Sequence, residues 1–105
     1  MANNQSETVL RVGLSVRAHI LTGETAAGPV VPLSAIVDDN GQEVAYVEAE
    51  GEAFERRPLR LGVRDGDRVE VLEGLRLGER VVTRGANLVR LAASSSAVPA
   101  EGHAH

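Results

Sequence analysis

The chain has 105 residues, enough for one compact domain or for one small domain and a piece of another. Hydrophobic residues make up 43% of it and aromatics only 2%, so a core must be assembled from Val, Leu, Ile and Ala. A formal net charge of −4, with every basic side chain an arginine set among acids, argues against a nucleic-acid surface. The lack of cysteine removes disulfides, thiolate metal sites and a cysteine nucleophile, and leaves cytosol and periplasm equally open.

The first residues, MANNQSETVL, show no basic stretch followed by an apolar run, so no export signal is read there, and no apolar run approaches the length of a bilayer span. From Leu10 to Ile20 the pattern alternates, with Leu10, Val12, Leu14, Val16, Ala18 and Ile20 on one side. Arg11, Gly13, Ser15, Arg17 and His19 take the other side, which predicts a half-buried strand bent at Gly13. TGETAAGP, residues 22–29, is a small-residue linker between packing units. Val30 to Val37 is a second apolar run, with Pro32 near its start where a missing N–H is tolerable. Asn40-Gly41 then supplies the two positive-φ positions of a hairpin turn. The return strand, Glu43 to Ala49, carries Val44 and Tyr46 on one face and Ala45 and Val47 on the other. After a turn at Glu50-Gly51-Glu52, Phe54 to Val63 reads as one strand, with Leu59, Leu61 and Val63 inward and Arg56 and Arg60 outward.

Gly66-Asp67-Arg68-Val69-Glu70-Val71 is echoed twelve positions later by Gly78-Glu79-Arg80-Val81-Val82-Thr83. Turn residues separate the copies, so they read as two strands of a meander, Asp67–Leu72 and Glu79–Thr83. The glycines stand between strands and not before a helix, which removes the helix N-terminus that a phosphate cradle needs. Leu88 to Ala92 is a short helix capped by Asn87, and ASSSAVPAEGHAH is too poor in apolar residues to pack, hence a disordered tail. The expected fold is all-β, a small antiparallel roll or barrel with one short C-terminal helix.

Reactive constellations are scarce. No Gly-x-Ser-x-Gly elbow is present, and His19 falls on the polar side of its strand beside Arg17. The carboxylates between Glu43 and Glu55 alternate along turn-flanked strands, where nothing raises a pKa for general-acid work, so no enzyme activity is expected. The one metal hint is the tail, where His103 and His105 can chelate an ion with help from Glu101. Two ligands on a mobile segment fall short of a structural or catalytic zinc set, so weak binding is the most they imply, and no cofactor is called for. The exposed arginines Arg56, Arg60, Arg64 and Arg68 are the candidates for a partner interface, since arginine is enriched at such surfaces.

Taken in order, LRVGLSVRAHI, VVPLSAIVDDNGQEVAYV and GEAFERRPLRLGVRDGDRVEVLEGLRLGERVVTRGA resemble the C-terminal part of periplasmic adaptor subunits. These membrane-fusion proteins, HlyD-like in type, serve RND-type tripartite efflux pumps. The resemblance runs from Leu10 to Ala92 and is most specific from Val63 to Gly85. Val12 and Leu14 stand where the family usually has proline and methionine, and both keep an apolar side chain on the buried face. GEAFERRPLRLG and the GHAH ending look most like the heavy-metal efflux branch.

The resemblance implies that 1–28 is the end of the adaptor β-barrel domain with its linker. Residues 29–92 would be the membrane-proximal β-roll, and 93–105 the histidine-bearing tail. Lacking a lipoyl-like domain and a helical hairpin, the chain reads as a C-terminal fragment of a longer adaptor. Its implied role is a non-enzymatic scaffold in the periplasm, linking an inner-membrane RND transporter to the export complex for heavy-metal cations. The outer-membrane channel would be met only through parts outside this chain, and the full-length protein would assemble into a ring. The alternative is a metal-binding module that delivers ions through His103 and His105.

Overall fold

The computed structural model describes residues 8–10, 15–49 and 53–102. Among them are nine strands and one α-helix: β1 (Thr8–Leu10), β2 (Arg17–Ile20), β3 (Val30–Pro32), β4 (Val37–Asp39), β5 (Gln42–Ala49), β6 (Ala53–Pro58), β7 (Arg60–Asp65), β8 (Arg68–Glu73), β9 (Arg80–Arg84) and α1 (Ala86–Gly102). The first sheet runs β1-β6-β5-β9-β2, with β4 also paired to β5, and the second runs β3-β8-β7. All pairings are antiparallel.

The central strand β5 explains the layering. Its alternation sends Ala45 and Val47 to one face and Val44 and Tyr46 to the other, and all four are buried. Ala45 and Val47, with Val81 of β9, pack against Val31, Val69 and Val71 of the second sheet. On the opposite face Val44, Tyr46, Phe54 and Val82 pack against Ala86 and Val89 of α1. The first sheet is therefore a middle layer with a cover on each side, and both cores are aliphatic apart from Tyr46 and Phe54.

Several expected features are present. Asn40 and Gly41 turn the β4–β5 hairpin with φ of 57° and 88°, and the Gly41 N–H donates to Asp38 Oδ1 at 2.9 Å. Val69 and Val71 point into the core as the alternation requires. The all-β architecture with one C-terminal helix is the fold expected from the turn-and-strand pattern.

Other features differ, each for a physical reason. The stretch from Phe54 to Val63 is two strands, since at Pro58-Leu59 the chain leaves the first sheet for the second. Pro58 has no N–H to continue a ladder, and the Leu59 N–H turns aside to the Glu43 carbonyl at 2.9 Å. Leu59 and Leu61 do pack against the inter-sheet core. Val63, however, is 67% exposed, because register shifts along β7–β8 turn it outward. The Glu70 carboxylate spans that irregularity by accepting the Val63 N–H at 3.1 Å.

The two echoed phrases are not neighbours in a meander. β8 lies in the second sheet between β3 and β7, whereas β9 lies in the first between β5 and β2. The alternating run from Leu10 to Ile20 is not one strand among the described residues: Leu10 ends β1, on the edge of β6, and Arg17–Ile20 form β2, on β9 at the other end of the sheet. Residues 11–14, including the proposed bend at Gly13, lie outside the described residues.

The helix is longer than Leu88–Ala92. It begins at Ala86, with the Leu88 and Val89 N–H groups donating to the Gly85 carbonyl, and continues to Gly102 through the segment read as a tail. Alanines 92, 93, 97 and 100 favour that continuation. Asn87 sits inside the first turn, where its Oδ1 accepts from Arg90 Nε at 3.2 Å, so it is not the cap.

Gly74, at the end of β8, has φ of 118°, and a Cβ there would stand 2.5 Å from the Pro58 carbonyl oxygen. Gly41 also has a positive φ but open space around it. Gly74→Ala is expected to cost about 3 kcal/mol or more and Gly41→Ala about 1–2 kcal/mol, the latter being backbone strain alone. Urea denaturation of both variants checks the difference, and equal losses would show that the Gly74 contact relaxes freely.

Candidate functional site

Arg57 occupies the seam between the sheets. Two adjacent arginines on a strand must face opposite ways, and in β6 that sends Arg56 and Arg57 to different partners. Arg57 meets Glu79 with two parallel contacts, Nη2 to Oε2 at 2.7 Å and Nη1 to Oε1 at 3.2 Å. Its Nε donates to Glu55 Oε1 at 2.8 Å, and Nη1 also donates to the Gly74 carbonyl at 3.0 Å. Glu79 Oε1 accepts the Arg76 N–H as well, at 2.8 Å. One guanidinium thus holds both ends of the 74–79 crossing that carries the chain from β8 to β9.

Burial works against the Arg57 charge, but hydrogen bonds and attraction from Glu79 and Glu55 outweigh it and raise its pKa above the ordinary arginine value. A raised cationic pKa gives stability that is fully present below the unfolded-state value and is lost only as pH rises through the folded one. For arginine that window lies above any working pH, so the guanidinium's contribution is flat across the neutral range.

The four arginines proposed for a partner surface do not form one cluster. Arg56 is largely covered and bound, with Nε to Asp39 Oδ2 at 2.9 Å and Nη2 to Gln42 Oε1 at 3.3 Å. Arg60, Arg64 and Arg68 all lie on the second sheet and are exposed. Arg60 reaches Glu73 at 3.5 Å. Arg64 and Arg68 belong to no ion pair among the described residues. His19 is exposed, as its place in the alternation predicts, with Nδ1 2.6 Å from Thr83 Oγ1. His103 and His105 lie outside the described residues. Among the described residues no group of three or more His, Cys, Asp or Glu is placed to hold a metal ion.

One of two concavities of similar size among the described residues lies where the two sheets part. It is a groove of about 580 Å³ bordered by β2 and β9 on one side and by β3 and the start of β8 on the other. Arg17, Arg68 and Arg84 line it together with His19, Thr83 and Ser34. Sequence reasoning missed both the groove and Arg57. Besides Glu55, two residues away, the partners of Arg57 are Gly74 and Glu79, 17 and 22 residues away, a spacing with no local signature.

With this body in view, residues 30–90 match the family described as the CzcB C-terminal circularly permuted SH3-like domain. The chain belongs to that family. The nickel and cobalt resistance protein CnrB of Cupriavidus metallidurans is 34% identical over 82 residues, covering 78% of this chain and 20% of CnrB. The cobalt-zinc-cadmium resistance protein CzcB of the same organism is 32% identical over 70 residues, 67% of this chain and 13% of CzcB. The crystal structure of ZneB from Cupriavidus metallidurans superposes with a TM-score of 0.53 at 46% identity, over 58% of this chain and 18% of ZneB. The chain thus spans about a fifth or less of the length of these relatives.

In this CzcB-type domain, Arg57→Met is expected to lower stability by about 2 kcal/mol, because it strands two carboxylates and the Gly74 carbonyl. A double-mutant cycle with Glu79→Gln should return a coupling of about 1–2 kcal/mol, unchanged between pH 6 and about pH 9. Additive losses would show that the two side chains act independently.

Proposed function

We propose that the chain is a non-enzymatic scaffold element of a periplasmic heavy-metal efflux adaptor. In this reading it engages an inner-membrane RND transporter within a tripartite export complex. The outer-membrane channel is met through other parts of the adaptor, and copies of the whole adaptor close into a ring. One observation carries the reading: relatives that share this domain are named for resistance to nickel, cobalt, zinc and cadmium or for cation efflux. The body itself supports it, since two packed sheets and a helix give a stiff surface studded with arginine. The exposed arginines of the second sheet, Arg60, Arg64 and Arg68, supply charge that arranges register against a transporter more than it adds affinity.

The test is a chimera in which this chain replaces the C-terminal domain of CzcB in a host that depends on CzcB for growth in cobalt, zinc and cadmium. Retained resistance and co-purification of the transporter with the chimera are the expected results. Charge reversal of Arg60, Arg64 and Arg68 together should weaken both. A folded, exported chimera that restores neither would overturn the scaffold reading. If His103 and His105 instead hand metal to the pump, a chimera ended at Pro99 would lose resistance; the scaffold reading expects it to be kept.

A further inference from the structure

The β7–β8 hairpin holds two pairing registers in one ladder. Arg60, Arg64 and Asp65 stand opposite Glu73, Val69 and Arg68, whereas Leu61, between them, is displaced by one residue and stands opposite Val71. Leu61 packs into the inter-sheet core, and side chains directly opposite each other share a face, so it needs the buried Val71 as its partner. The return to the first register at Arg64 leaves Gly62 and Val63 together facing Glu70, which is a bulge in β7.

At the tip, each register has something in its favour. In the one present there, Gly66-Asp67 is a two-residue turn with Gly66 at φ of 65°, and it sets Asp65 opposite Arg68, where unlike charges attract. The Val63 N–H in the bulge donates to Glu70 Oε1 at 3.1 Å. Glycine at 62 leaves room for that reach, since a Cβ there would stand 2.9 Å from the same oxygen. The drawback is apolar. Val63 is left 67% exposed, on the rim of a shallow concavity that it shares with Val30, Asp65, Arg68 and Glu70.

Carrying the Leu61 register on to the tip removes the bulge. Val63 then stands opposite buried Val69 and turns inward, which is what the alternation of Leu59, Leu61 and Val63 favours. Asp65-Gly66-Asp67 becomes a three-residue turn, another common hairpin connection. Two things oppose this register: it sets Arg64 directly opposite Arg68, and it takes the Val63 N–H from Glu70.

We propose that the tip of the β7–β8 hairpin is a two-register switch and that Glu70 is its latch. The boundary between the registers sits at Gly62-Val63 because the Glu70 carboxylate holds the bulge there. Releasing the latch lets the boundary run out to the turn, and a slip of one residue exchanges the faces of 63–65. Val63 is withdrawn, and Arg64 replaces Asp65 beside Arg68, so an acidic and apolar spot becomes a basic one. Anything that distinguishes the two faces selects a register by its differential affinity. The inference concerns this hairpin alone and stands or falls apart from the efflux role.

The test uses the full 105-residue chain with Glu70→Val, which removes the acceptor but keeps a β-branched strand former, and with Glu70→Gln, which keeps a carbonyl oxygen able to accept the Val63 N–H. Cross-strand NMR contacts read the register directly. Arg64 should meet Val69 in the unmutated chain and in Glu70→Gln, whereas Val63 should meet Val69 in Glu70→Val. As a second readout, Val63→Cys places one thiol in a chain that has no cysteine. Its alkylation should slow about tenfold or more when Glu70→Val is added, and change by less than about twofold with Glu70→Gln. Persistence of the Arg64–Val69 contacts in Glu70→Val, with unchanged alkylation, would overturn the proposal. So would loss of both sets of contacts, since Glu70 would then support the strands without choosing between registers. If Glu70→Val fails to fold, Arg64→Glu, changed only at an exposed side chain, decides. It turns the repulsion in the alternative register into attraction and should give doubled or exchange-broadened amide signals from Leu61 to Val71. One sharp set of signals, with residue 64 still opposite Val69, would overturn the proposal.

Discussion

Everything in this domain follows from a strand that is apolar on both faces. A sheet with one wet face needs a single cover; β5 buries Val44 and Tyr46 on one side and Ala45 and Val47 on the other, so its sheet needs two. The β3-β8-β7 sheet is one cover and α1 is the other. With only Tyr46 and Phe54 as large aromatic side chains, both interfaces rely on small branched residues in close contact. Close contact in turn demands that the layers be held at a fixed spacing, and the Arg57–Glu79 pair with its neighbours meets that demand at the seam.

The parts of this arrangement that were legible in the sequence are those set by neighbours along the chain. A period of two in Glu43–Ala49 fixes the faces of β5, and Asn40-Gly41 fixes its turn. What could not be read depends on which sheet a strand joins. Arg68–Glu73 and Arg80–Arg84 carry nearly the same phrase, yet one serves as cover and the other as middle layer. Nothing local separates them. The break at Pro58-Leu59 had a signal in its proline, but the alternation of Leu59, Leu61 and Val63 masked it until the register shifts in β7–β8 turned Val63 out. Asn87 looked like a cap because its type suits one, whereas the helix had already begun a residue earlier.

The candidate site divides the same way. Exposed arginines could be named from the sequence, but not grouped: Arg56 is consumed by Asp39 and Gln42, while Arg68 joins Arg17 and Arg84, residues far from it in the chain. Charge counted along a sequence says little about charge gathered at a place. The family resemblance, by contrast, rested on wording concentrated from Val63 to Gly85, and that stretch lies within the matched residues 30–90.

The path of the chain has a consequence for where the unit begins. It passes from the first sheet to the second at β2–β3, returns at β3–β4, leaves again at β6–β7 and returns at β8–β9. The two layers are interlaced like fingers, so neither can be lifted out as a module. The family match starts at residue 30, yet β2 supplies the outermost rung beside β9, and Leu21 is sealed among the inter-sheet side chains. A piece trimmed to the matched boundary would bare the flank of β9 and unplug that core, and the smallest self-sufficient body therefore starts upstream of the family match.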